Sequence, residues 1–142
     1  MEVCVDAGLV VKLVAQEPDS DRVDALFAKW HSTQTRLIAP AFAIAEIDSV
    51  LRQKAHRGEL TAEMADVSFG AACQVPLRTP TVRKLRQRAW EIAKQLQMPQ
   101  VYDSVYLALA DLRQCEFWTA DRRLSDRVRE QLGFVRHISD GI

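Results

Sequence analysis

Residues 102–121 read Tyr-Asp-Ser-Val-Tyr-Leu-Ala-Leu-Ala-Asp-Leu-Arg-Gln-Cys-Glu-Phe-Trp-Thr-Ala-Asp, and the order of patterns in them sets the architecture. A helix is expected from about Asp103 to Arg113, then a short apolar strand, Phe117-Trp118-Thr119. A further helix follows from Asp121 to Leu132, with Gly133 in the place of its C-terminal stop. The unit is therefore helix, strand, helix, with an acid just beyond the strand.

Working outward, Val3-Cys4-Val5 reads as a strand buried on both faces that ends at Asp6. Leu37-Ile38-Ala39 and Phe134-Val135-Arg136 read as two more strands, and Pro40 stands at a plausible first helical position. Ala7 to Ala15 suggests a short helix closed by Glu17-Pro18. Asp19-Ser20-Asp21 offers capping side chains to a second helix, whose Val23, Leu26, Phe27 and Trp30 share one face. Residues 41–56 and Thr61 to about Cys73 suggest two helices separated by Gly58. Pro76 and Pro80 punctuate the next connection. Leu85, Ala89, Ile92, Ala93 and Leu96 mark one more helical face, ended by Met98-Pro99.

Strands alternating with helices imply an α/β fold around a mainly parallel sheet. The helices between residues 41 and 97 are expected to form a helical arm beside that sheet. No internal repeat or linker divides the sequence, so residues 1–142 are expected to be a single domain.

With 48% hydrophobic and 27% charged residues, the composition is that of an ordinary globular protein and not of a disordered one. A formal net charge of +0 argues against gripping nucleic acid by bulk positive charge, although acidic metal ligands can cancel basic contacts in that sum. Cys4, Cys73 and Cys115 are odd in number and lack zinc-ligand spacing, and buried free thiols are expected. The opening residues lack a basic start followed by a long apolar run, and no apolar run approaches a membrane span of about 20 residues. A cytoplasmic protein is expected.

The topology gathers acids. In a parallel sheet, the carboxyl ends of the strands and the starts of the following helices share one edge. Asp6 ends the first strand, and Asp121 lies just past the third. Asp103 opens the helix that precedes that strand, and Glu46 sits near the start of the helix after the second. Taken singly, Asp6, Asp103 and Asp121 could be no more than turn or capping residues. Glu46 is harder to dismiss, because it emerges beside the apolar face of its helix and needs a partner there. Two unit charges about 4 Å apart repel by roughly 4 kcal/mol at an effective dielectric near 20. Four carboxylates on one rim therefore call for protons or a cation. An all-oxygen set favours Mg²⁺ or Mn²⁺ over zinc, and phosphodiester hydrolysis is the chemistry such an ion best serves.

Four segments then match a known pattern: Val5-Asp6-Ala7, Ala45-Glu46-Ile47, Tyr102 through Ala110, and Thr119-Ala120-Asp121-Arg122-Arg123-Leu124. The sequence resembles PIN domains over essentially its whole length, and most of all the toxin nucleases of VapBC toxin–antitoxin pairs. The resemblance implies a three-layer α/β/α fold and a Mg²⁺- or Mn²⁺-dependent endoribonuclease. It also implies an RNA substrate, a homodimer and a cognate antitoxin encoded alongside. It carries the metal-binding and catalytic roles onto Asp6, Glu46, Asp103 and Asp121. Thr119 falls where the family has a hydroxyl that orients a ligand or a metal-bound water. Many relatives have Ser or Thr two residues after the first acid, where this chain has Gly8; the missing hydroxyl is expected to loosen Asp6 or weaken the metal.

Asp126 is a further candidate for assistance through water. Arg83, Lys84, Arg86 and Arg88 on one helix, and Arg122, Arg123, Arg127 and Arg129 on another, are candidates for RNA phosphates. Arg122 and Arg123 come first because they adjoin Asp121. Trp30, Trp90 and Trp118 are expected in the core. The histidines form no constellation with Ser or Cys, and no glycine-rich phosphate loop is present, which excludes a triad hydrolase and an NTPase. A non-toxin RNA-processing nuclease and a metal-free binding module on the same fold are the alternatives.

Overall fold

Alternating buried side chains let each strand serve two helical layers. The computed structural model describes residues 1–141. The strands β1 (Glu2–Val5), β2 (Arg36–Ile38), β3 (Leu77–Arg78), β4 (Glu116–Thr119) and β5 (Val135–His137) form one sheet in the order β3-β2-β1-β4-β5. Every pairing is parallel. Cys4, Ile38 and Phe117 point to one face, and Val3, Val5, Leu37 and Trp118 to the other.

The helices are α1 (Ala7–Val14), α2 (Ser20–Ser32), α3 (Ala43–His56), α4 (Ala62–Gln74), α5 (Leu85–Gln95), α6 (Tyr102–Arg113) and α7 (Arg122–Val128). Leu9, Val10, Leu26, Trp30, Ile47 and Leu51 build one apolar layer, from α1, α2 and α3. Ile92, Leu107, Leu109, Leu124 and Val128 build the opposite layer, from α5, α6 and α7. The result is the three-layer α/β/α arrangement. The α3–α4 arm packs beside α1, where the Ser68 hydroxyl donates to the Val14 carbonyl at 2.9 Å. Among the described residues, no helix is long and apolar enough to cross a membrane.

Several local expectations need correction. The strand β3 escaped the sequence because two residues, Leu77 and Arg78, carry no period. Asp19 begins α2 in a left-handed conformation (φ 71°), so its carboxylate makes no cap, and Ser20 instead bonds back to the Lys12 and Glu17 carbonyls. Pro40 precedes a turn, and α3 begins only at Ala43. The helix α7 stops at Val128, short of Leu132, and Gly133 is not left-handed. Gly58, after α3, does take a left-handed φ of 76°. Trp30 and Trp118 are buried edge-to-face at 5.8 Å, but Trp90 is 63% exposed. Cys4 is buried, whereas Cys73 is exposed.

Candidate active site

The strand β1 runs out at Val5 and α1 begins at Ala7, so Asp6 is the joint between them. Its Oδ1 accepts the Leu9 N–H at 2.9 Å and caps α1. Its Oδ2 accepts the Thr119 hydroxyl. Thr119, at the end of β4, is fully buried, and its Oγ1 also accepts the Asp121 N–H at 2.9 Å. Asp121 repeats the pattern of Asp6: its Oδ1 accepts the Leu124 N–H at 3.1 Å and caps α7. One hydroxyl thus joins two acid-bearing turns 113 residues apart in sequence. They meet between β1 and β4, where the chain changes direction across the sheet and where open α/β folds place their ligands.

Glu46 lies in the first turn of α3, half-buried. It has the partner its position demands, because the Tyr106 hydroxyl donates to its Oε1 at 2.7 Å. The same phenol oxygen accepts the Ala7 N–H at 3.3 Å, beside Asp6. Asp103, in the first turn of α6, is exposed.

The electrostatics tie these acids together. Burial is the main force pushing the Asp6 carboxyl up to about 6, and the charges of Asp121 and Asp103 add to it; the Thr119 and Leu9 hydrogen bonds pull the other way. Partial removal from water, and then Asp121, raise the Asp103 carboxyl, while Arg127 lowers it. Burial and the neighbouring Glu46 and Asp6 push the Tyr106 phenol far above its ordinary value, so it stays a neutral donor.

Among the described residues, no three His, Cys, Asp or Glu side chains close into a metal cage. Asp6, Asp103 and Asp121 lie near enough to repel one another, and Glu46 reaches the Asp6 turn through the Tyr106 hydroxyl. Among the described residues, both Asp103 oxygens, Asp121 Oδ2 and Glu46 Oε2 have no hydrogen-bond partner in the protein. Unshared carboxylate oxygens beside mutually repelling charges fit a hard divalent cation, which takes oxygen ligands and keeps some of its waters.

A family model described as PIN domain matches residues 3–130. The chain belongs to the PIN domain family. This PIN domain is 32% identical over 124 residues to Ribonuclease VapC3 of Mycobacterium tuberculosis, spanning 87% of this chain and 85% of the relative. Among solved structures it is similar to PAE2754 from Pyrobaculum aerophilum, with a TM-score of 0.70, 18% identity and coverage of 99% and 91% of the two chains. It is also similar to a chain of VapBC2 from Rickettsia felis, solved bound to a DNA fragment from their promoter. There the TM-score is 0.68, the identity 10% and the coverage 96% and 98%.

The remaining candidates of this PIN domain divide. Arg122 donates to Ser139 Oγ at 2.9 Å. Arg123 is exposed, and among the described residues its side chain makes no hydrogen bond or ion pair. Asp126 is exposed on α7, with no bond to the acid cluster among the described residues. Arg88 is drawn away to Asp111 at 2.7 Å. Arg127 is the cation that bears on Asp103; the Leu96 and Gln97 carbonyls hold its Nη2 at 3.1 and 2.9 Å. Asp6 is anchored by Leu9 and Thr119 without any hydroxyl at position 8. A Cβ at Gly8 would meet Asp6 Oδ1 at an ordinary 3.5 Å. Sequence reasoning missed Tyr106 as a partner of Glu46, and placed Arg127, whose charge reaches Asp103, behind Arg122 and Arg123. The first signal was available: Glu46 lacked a partner, and Tyr106 is the polar-tipped residue in an otherwise apolar stretch of α6.

Proposed function

We propose that this PIN domain is a Mg²⁺- or Mn²⁺-dependent endoribonuclease and the toxin of a toxin–antitoxin pair, acting in the cytoplasm. The observation that carries the reading is the Thr119 hydroxyl shared between the Asp6 and Asp121 turns, with Asp103 and Glu46 on the same rim. Its relative is named a ribonuclease, and one of its structural neighbours comes from a VapBC complex.

Asp6, Glu46, Asp103 and Asp121 would hold the cation. When bound, it would act as a Lewis acid on the scissile phosphate, activating water and stabilising the leaving oxygen. The chain's own groups supply the frame. Leu9 and Thr119 fix the rotamer of Asp6, and Leu124 fixes that of Asp121. The Thr119 hydroxyl has one proton and gives it to Asp6, so its lone pair is left for the Asp121 N–H. Arg127, beside Asp103, and the exposed Arg123 offer guanidinium groups to RNA phosphates.

The purified protein is expected to cut RNA with Mn²⁺ or Mg²⁺ and to stop when a chelator is added. Asp103→Asn is expected to cut at least about 100-fold more slowly while its melting temperature stays within a few degrees, because this acid caps nothing. Equal cleavage by wild type and variant would end the reading.

Two exposed apolar surfaces suit the protein partners, a second copy and an antitoxin. One is on α4, with Met64 and Val67; the other combines Trp90, Val101 and Tyr102. Val67→Lys and Trp90→Lys are each expected to remove one association, self-association by light scattering or capture of the antitoxin encoded alongside. If neither substitution changes either association, these surfaces are not the interfaces.

A further inference from the structure

Tyr106 sits within α6, where its neighbours Leu107, Ala108, Leu109 and Ala110 are wholly apolar and buried. Its ring packs edge-on against Phe42 at 5.5 Å and tilted against Phe117 at 5.7 Å. A phenylalanine would fill that space equally well, so packing does not account for the hydroxyl. The hydroxyl makes two bonds. It accepts the N–H of Ala7, one of the first amides of α1, which no helical carbonyl can reach. It donates to Glu46 Oε1 at 2.7 Å, across 60 residues of sequence. The phenol therefore spans from the turn that carries Asp6 to the helix that carries Glu46.

A glutamate has three side-chain torsions, and a half-buried one on a helix face is not held by its backbone alone. The phenol removes that freedom. It occupies one carboxylate oxygen and leaves Oε2 as the one without a partner among the described residues. A neutral donor is suited to this task. A lysine or arginine at the same place would neutralise the carboxylate and compete with a cation for it.

We infer that Tyr106 is a positioning residue for metal-dependent cleavage, acting through Glu46 by locking its carboxylate against the Asp6 turn. The inference rests on the nuclease reading above. The competing explanation is that the hydroxyl only satisfies the Ala7 N–H, which would make it a contributor to stability and nothing more.

Tyr106→Phe separates the two, since the ring and its packing remain. Three measurements are compared with wild type: Mn²⁺ affinity by calorimetry, kcat and KM on RNA, and side-chain ¹³C relaxation of Glu46 in the metal-free protein. The expected result is Mn²⁺ binding and kcat each about 10-fold weaker with KM unchanged, as for other groups that orient a metal ligand. Glu46 is expected to become as mobile as the exposed Glu63. In a Glu46→Gln background, Tyr106→Phe is expected to cost less than about 2-fold further, because the two substitutions remove one interaction. A variant with wild-type Mn²⁺ affinity and kcat overturns the inference, as does an unchanged Glu46 side chain or an equal loss in the Glu46→Gln background. A wild-type protein that neither binds Mn²⁺ nor cuts RNA overturns the nuclease reading, and this inference with it.

Discussion

Asp6→Asn is expected to abolish RNA cleavage and, at neutral pH without divalent ions, to make the protein more stable. The loss of activity follows from removing an acid that meets the charges of both Asp121 and Asp103; under the proposed metal-dependent function, losing a ligand worth several kcal/mol of transition-state stabilisation means at least about 100-fold in rate. The gain in stability follows from the pKa. The Asp6 carboxyl titrates at about 6 in the folded chain, against an ordinary 3.8. The folded state therefore holds this proton more tightly than the unfolded state does. Its favourable contribution is complete below 3.8 and is lost as pH rises through about 6. That interval is worth on the order of 2–3 kcal/mol. Asparagine does not titrate there, and it can still accept the Leu9 N–H. Urea unfolding with chelator present, at pH 4.5 and pH 7.5, checks the sign. The stability of Asp6→Asn relative to wild type should grow toward pH 7.5, and a relative gain by wild type over that range would contradict the assignment. Millimolar Mn²⁺ should raise the melting temperature of wild type and leave that of the variant nearly unchanged.

The second large effect is expected at Thr119→Val. The shape is nearly preserved, but both hydrogen bonds of a fully buried hydroxyl disappear. Asp6 Oδ2 loses its donor and the Asp121 N–H loses its acceptor. Leaving two such groups unpaired costs about 2–4 kcal/mol. The loss should be greater at pH 7.5 than at pH 4.5, because the Thr119 bond helps hold the Asp6 carboxyl down, and removing it strengthens the penalty on the charged form. Activity should fall by about 10- to 100-fold as the two acids proposed to hold the cation lose their common anchor. Thr119→Ser, which keeps the hydroxyl, should recover most of both. If Thr119→Val unfolds at the wild-type urea midpoint at pH 7.5, the hydroxyl does not join the two turns.

Much of this architecture could be read from hydrophobic runs alone. Val3-Cys4-Val5 and Phe117-Trp118-Thr119 are short and apolar, so both their strands were legible. Strand β3 was not, because Leu77 and Arg78 pair with β2 through backbone atoms and their side chains impose no period. The end of α7 was misjudged because Leu132 and Val128 both face the core, although only Val128 is helical. The acids were legible as candidates, while their couplings were not. The union of Glu46 with Tyr106 depends on two helices meeting across 60 residues, so the hydroxyl in that apolar row stood out but its partner could not be assigned. Trp90 was misplaced although it falls beside, and not on, the face set by Ala89, Ile92 and Ala93.

Asp6 and Asp121 are also the side chains that start α1 and α7. An alanine scan of these acids would therefore mix two losses at those positions, a fraying helix end and a missing carboxylate, while at Asp103 it would report only the second. Asparagine substitutions keep an oxygen for the amide they cap, and they are the fairer instrument for ranking the acids against one another.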